Sequence, residues 1–180
     1  MVKIAIICIF LFIESFAFAE TLNCQKGGSI AKVDYEKAVN FLSSGEKLTS
    51  NEQTEIVHLL QTAVSNRCQK AALVLAELKI IELGANQGKD PSLVRALDTE
   101  IHSLLIESTQ LNEGWFELGI FLATKDSVYH SLKLSKKMLE KAAAQGDMRA
   151  IDFLIDAYTN GRDGIEINVK RADYWRRLKK

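Results

Sequence analysis

The sequence predicts an all-helical fold, and three observations predict it. Apolar residues recur three and four apart along most of the chain, and no stretch keeps strand alternation for long. Pro91 is the only proline and glycines number ten, so few positions are closed to helix. Alanine, leucine, glutamate and lysine are abundant, the composition of helical chains.

The first nineteen residues stand apart from that fold. "MVK" supplies a positive charge, "IAIICIFLFI" an apolar run too short to span a bilayer, and "AFA" puts Ala17 and Ala19 at −3 and −1 before Glu20. Residues 1–19 are therefore expected to be a cleaved secretory signal, with a short membrane anchor as the alternative. Neither Cys8, after Ile7, nor Cys24, after Asn23, sits in a lipoprotein-type context. The exported chain is roughly 160 residues, one domain's worth, expected over 20–180 with no stable membrane insertion. Cleavage leaves Cys24 and Cys68, which in an oxidising compartment are expected to pair; two free buried thiols are the alternative.

Helix signals then follow in order. "IAKVDYEKAVNFLSSG" sets Ile30, Val33, Ala38, Phe41 and Leu42 at helical spacing and stops at Gly45. "TSNEQTEIVHLLQTAVSNR" offers Ser50 and Gln53 as a capping box and puts Ile56, Leu59, Leu60, Ala63 and Val64 on one face. "CQKAALVLAELKIIELG" follows and is expected to end at Gly84. "DPSLVRALDTEIHSLLIEST" has Asp90 as N-cap and Pro91 in the first turn, where a missing N–H costs nothing. "NEGWFELGIFLAT", "SVYHSLKLSKKMLEKAAAQ", "DMRAIDFLIDAYTN" and "NVKRADYWRRLKK" complete eight helices. They group as hairpins over 51–84, 91–125 and 127–161, with 20–50 and 168–180 as capping segments.

The hairpins repeat. Ala71, Gly114 and Ala150 each precede a leucine by four residues (Leu75, Leu118, Leu154), and Ala63, Ile106 and Ala142 lie eight residues before them. Steps of 43 and 36 residues suit a helical-hairpin solenoid with loops of varying length. Within the last unit, Ala142, Ala143 and Ala150 allow close helix approach. Gly146 is expected to take the left-handed stop and Asp147 to cap the next helix. Gly161 and Gly164 shape the loop that follows, Asn168 caps the last helix, and Trp175 faces inward.

This stretch resembles the Sel1-like repeat, a relative of the tetratricopeptide repeat. The resemblance rests on Ala142, Ala143, Gln145, Gly146, Asp147, Ala150, Leu154, Tyr158, Gly161, Gly164, Ala172, Tyr174 and Trp175. It covers roughly 135–178, thins over 51–125, where Arg67 and Gln110 stand in the turn glycine's place, and does not reach 20–50. It implies a right-handed solenoid of about three units. Its first unit would be stapled to the N-terminal cap by Cys24–Cys68, because Cys68 aligns with Asp147. Lys179 and Lys180 replace an expected alanine pair, as in a terminal cap, and capped ends imply a monomer.

Little in the chain points to catalysis. Glu55 and His58 have the Glu-x-x-His spacing of di-metal bundles, but no second copy exists, since Thr99 precedes His102 and Ser127 precedes His130 by three. No G-x-S-x-G turn or phosphate-binding glycine loop occurs. No enzyme activity, metal or cofactor is expected. The balanced formal charge gives no overall field for nucleic acid, although "KRADYWRRLKK" carries six basic residues against Asp173. Trp115 and Phe116 point a quarter-turn apart, so one of them is expected to be deeply buried. Trp115, Tyr129, His130 and Arg162 are the expected partner contacts, on loops or half-exposed positions. Proteins of the resembled family are adaptors and scaffolds, and some exported ones are immunity proteins that neutralise toxic effectors. The expectation is a periplasmic protein-binding module. An envelope scaffold is the alternative within that class, and a cell-envelope hydrolase the alternative outside it.

Overall fold

A computed structural model of the chain describes residues 24, 28–45, 47–111 and 114–179. The expected signal segment 1–19 lies outside these residues. The fold is all-helical, as the periodicity predicts. Eight α-helices occur among the described residues, and the one β-bridge there, between Arg162 and Ile165, closes a loop. The chain divides between Ala85 and Asn86 into two compact units.

The first unit holds α1 (Gly28–Ser43), α2 (Ser50–Ser65) and α3 (Gln69–Asn86). Ala31, Tyr35 and Ala38 of α1 and Ile56, Leu60 and Ala63 of α2 are buried, so two narrow stripes with small residues face inward. The capping box that opens α2 is Thr49–Glu52, not Ser50–Gln53. The Thr49 N–H donates to Glu52 Oε2 at 2.7 Å, and Thr49 Oγ1 accepts from the Glu52 N–H at 3.3 Å. Both pairs fit the same sequence pattern, and the position of the first helical turn decides between them. Gly84 does not end α3, which runs to Asn86; the left-handed backbone falls at Gly88 instead, with φ 78°. Cys24 and Cys68 form a disulfide, both buried, joining the residues before α1 to the α2–α3 turn.

The second unit holds α4 (Pro91–Ser108), a 3₁₀ turn at Thr109–Leu111, α5 (Trp115–Ala123), α6 (Leu132–Ala144), α7 (Met148–Asn160) and α8 (Val169–Leu178). Asp90 caps α4 through the Ser92 N–H at 2.8 Å with Pro91 at its start, as expected. Residues 127–130, expected inside a helix, form a turn, and Ser131 is the N-cap of α6. The closest neighbours are α5 with α6, then α7 with α8. Gly119 explains the first pairing: a Cβ there would stand 2.7 Å from Leu139 Cγ, so the backbones approach through the missing side chain. Leu139, Ala142, Ala143, Ala150, Ile151, Leu154, Ala157, Tyr158, Ile165, Ala172 and Trp175 make one core, which includes the alanines, Leu154 and Trp175 singled out in the sequence. Each fully buried leucine or isoleucine there stabilises the fold by about 1.5–3 kcal/mol relative to exposure.

The stop between α6 and α7 is the one that "AAAQGD" predicts. Gly146 has φ 90°, and its N–H donates to Ala143 O at 3.0 Å. The Asp147 N–H donates to Ala142 O at 3.1 Å, which completes a Schellman turn. Asp147 in turn accepts from the Arg149 and Ala150 N–H groups. The α2–α3 turn repeats the pattern with Arg67 in glycine's place. Arg67 has φ 62°, its N–H donates to Val64 O at 2.8 Å, and the Cys68 N–H donates to Ala63 O at 3.0 Å. An L-residue in that conformation costs about 1–2 kcal/mol, which the two turn hydrogen bonds offset. The middle unit departs from this. Gln110 lies within the 3₁₀ turn without left-handed backbone, and Ile106, aligned with Ala63 and Ala142, is exposed while Leu105 beside it is buried. Gly161 and Gly164 take φ 74° and 72° in the α7–α8 loop, and Asn168 caps α8 through the Arg171 N–H at 3.0 Å.

Candidate binding surface

The second unit carries a run of cations seated on aromatic rings, built by α5, α6, α7 and the loop after α7. Lys141 Nζ stands 3.5 Å from the centroid of the Trp115 ring. The Arg149 guanidinium covers Phe116 at 4.6 Å and is fixed there by Glu117 at 2.6 Å and Asp147 at 2.7 Å. Arg162 covers Phe153 at 4.6 Å, held by Asp156 at 2.7 Å and Asp163 at 2.9 Å. Lys136 approaches the Tyr158 ring at 5.5 Å, and the Tyr158 hydroxyl donates to Glu140 at 2.6 Å. Burial, then that hydrogen bond and the Glu140 charge, push the Tyr158 phenol up to about 12.

Each cation–aromatic contact is worth about 0.5–1 kcal/mol at exposed sites, and each exposed ion pair about 0–1 kcal/mol. Their larger effect is geometric. They hold long side chains in fixed orientations, the kind of ordering that otherwise costs free energy when a surface is engaged. Neither Trp115 nor Phe116 is deeply buried, contrary to expectation; both are half-buried and covered by a cation. Trp115 Nε1 is shielded from solvent with no acceptor among the described residues.

A second cluster organises the turn between α5 and α6. Asp98 is buried on α4 and its Oδ2 accepts from Ser127 Oγ at 3.0 Å and from the Val128 N–H at 2.8 Å. This carboxylate holds residues 127–130 out of the helix that their sequence suggests. Tyr129 stacks face to face on His102, with centroids 3.9 Å apart. Burial holds His102 below the ordinary histidine range, with Asp98 opposing.

A pH dependence follows. Below the ordinary value of 6.5 the unfolded chain takes up a proton at this histidine more readily than the folded one, so folding stability falls as pH drops through that region. Urea unfolding at about pH 7.5 and about pH 5.5 is expected to show a larger acid loss for wild type than for His102→Phe. Equal losses would mean that the stacked imidazole protonates freely.

The four expected contact residues do not converge. Trp115 and Arg162 sit on different members of the cation–aromatic run, Tyr129 packs inward on His102, and His130 is exposed at the turn. Glu55 and His58 are both exposed on α2. Among the described residues no group of three or more His, Cys, Asp or Glu could hold a metal ion, and no helix is long and apolar enough to cross a membrane. Sequence reasoning passed over Lys141, Arg149, Phe153 and Asp98. Asp98 had a signal: it falls within the stripe Leu97, Ile101, Leu104 and Leu105, where a carboxylate interrupts an apolar face.

Charge is also segregated along this unit. Residues 86–126 carry three Lys and Arg against seven Asp and Glu, whereas 127–180 carry twelve against seven. The neutral total conceals a basic C-terminal half. No family model, curated protein or solved structure matches the chain.

Proposed function

We propose that this protein is an exported, non-enzymatic protein-binding module that acts as an immunity protein, neutralising a toxic effector in the periplasm. In this reading it is a right-handed solenoid of about three Sel1-like hairpins between capping helices. The observation that carries the binding role is the pre-ordered run of cation-covered aromatics, Trp115–Lys141, Phe116–Arg149 and Phe153–Arg162. Tryptophan and arginine in such settings are the residue types that dominate binding energy at protein interfaces. The matched hydrogen bonding of the Arg67 and Gly146 turns supports the repeat, and the Cys24–Cys68 disulfide supports export.

The test is capture from envelope extract on the immobilised, oxidised protein, washed in moderate salt and read by mass spectrometry. One stoichiometric protein is expected, toxic when expressed alone in the envelope and harmless when this chain is co-expressed. An empty column, from an extract shown to contain the products of neighbouring genes, would overturn the reading. Release of wall fragments by the purified protein would replace it with the hydrolase.

A further inference from the structure

We propose that Asn160–Gly161, at the end of α7, is a site of spontaneous deamidation, and that Asp156 and Arg162 guard it in the folded protein. The reagent is water, and the site is independent of any binding role. Of the asparagines in the chain, Asn160 alone precedes glycine, the residue with no Cβ to hinder attack by its own backbone nitrogen. Asparagine is among the thermolabile residues, and here both members of the pair are exposed. The loop also requires the glycine. Gly161 takes φ 74°, and a Cβ on it would stand 3.1 Å from Ile167 Cγ1.

The reaction needs only these two residues and water. Hydroxide removes the proton of the Gly161 amide, and that nitrogen attacks Asn160 Cγ. The N–Cγ bond forms, the Cγ–Nδ2 bond breaks, and Nδ2 leaves as ammonia, taking a proton from water. Water then opens the cyclic imide at either carbonyl, which leaves aspartate or isoaspartate at position 160.

The fold withholds both reacting groups. The Gly161 N–H donates to Ala157 O at 2.9 Å. Asn160 Nδ2 donates to Asp156 Oδ1 at 2.6 Å, and Arg162 Nη1 donates to Asp156 Oδ2 at 2.7 Å. These hydrogen bonds, from Arg162 first and then Asn160, hold the Asp156 carboxyl below its ordinary range, so it stays a charged acceptor. All these groups lie at a helix end, where local opening costs least, so attack follows fraying of this turn. Either product then undoes the guard. Aspartate at position 160 sets a second carboxylate beside Asp156 at a helix C-terminus, where negative charge is unfavourable. Isoaspartate adds a methylene to the main chain just ahead of the Arg162–Ile165 bridge that ends on buried Ile165.

The oxidised protein is incubated in neutral buffer for weeks, sampled, digested with trypsin and read by mass spectrometry. Arg162 ends the tryptic peptide that carries Asn160, and Asp163–Gly164 falls in the next, so the amide-to-acid mass change is assigned without overlap. Asn160 is expected to convert first among the asparagines, and at least about tenfold faster in guanidinium chloride than in the folded protein. Asp156→Ala and Arg162→Ala are each expected to speed the folded reaction at least about threefold, because the end of α7 opens more often. Lys179→Ala, which breaks the exposed pair with Asp152 instead, is expected to leave the rate within about twofold. Where circular dichroism shows a guard variant unfolded, Asp156→Asn, which keeps the shape and removes the charge, replaces it. Another asparagine converting first, or Asn160 intact even in guanidinium chloride, would overturn the site. Equal rates in wild type and both guard variants, or equal acceleration by Lys179→Ala, would overturn the guard.

Discussion

Replacing Cys24 and Cys68 together by alanine is expected to destabilise the first unit by about 4 kcal/mol. The bond joins residues 44 apart, and a closed loop of that length removes a large share of the unfolded chain's freedom. Other sources of stability in this unit are modest. The inward faces of α1 and α2 include Ala31, Ala38 and Ala63, which bury little apolar area. Cys68 also lies one residue beyond left-handed Arg67, so the bond holds in place a turn whose backbone is unfavourable. Both tryptophans, Trp115 and Trp175, belong to the second unit. Urea unfolding is therefore read by far-UV circular dichroism, in which the loss should appear, beside tryptophan fluorescence as the reporter of the second unit. Reduction of the wild type should reproduce the variant. A loss below about 1 kcal/mol would mean that the unfolded chain is already constrained between these positions.

Gly119→Val is expected to cost about 3 kcal/mol and to separate α5 from α6. A Cβ at this position would stand 2.7 Å from Leu139 Cγ, 2.9 Å from its Cδ2 and 3.3 Å from its backbone nitrogen. Leu139 is fully buried, so it has little room to retreat, and a branched side chain adds two more methyl groups to the clash. Gly119→Ala separates the competing effects. Alanine in an open helix site would gain up to about 1 kcal/mol of helix propensity, whereas the contact with Leu139 predicts a net loss of about 1–2 kcal/mol. Combining Gly119→Ala with Leu139→Ala should cost less than the sum of the two, because the smaller residue makes the room that the new methyl needs. Thermal and urea unfolding of the three proteins decide it. A Gly119→Ala variant more stable than wild type would show that the helices do not meet through this glycine.

Local chemistry made much of the second unit's end legible. Gly146 and Asp147 stop one helix and start the next through hydrogen bonds between residues at most five apart, so neighbours in sequence suffice to predict them. Asp90–Pro91 and Asn168 follow the same logic. The misses share a different cause. Thr49–Glu52 and Ser50–Gln53 are equally good boxes on paper, and they differ only in the turn at which α2 begins. The helix expected from Ser127 begins at Leu132 because Asp98, 29 residues earlier, accepts the Ser127 hydroxyl and the Val128 amide. Ile106 proved exposed because the 3₁₀ turn after α4 changes the register that the alignment assumed.

The candidate surface divides in the same way. Trp115 and Arg162 were legible as residue types suited to interfaces, while their covering partners, Lys141 on α6 and Phe153 on α7, come from other elements. Periodicity and capping act locally, so the helices and most of their caps could be read from the sequence, which also led to the expectation that Cys24 pairs with Cys68. Only the tertiary structure decided that Gly119 brings α5 onto α6, that Asp98 organises the turn at 127–130, and that the cations of α6 and α7 lie over aromatic rings. Those outcomes depend on distances between elements far apart in the chain, and no local pattern encodes them.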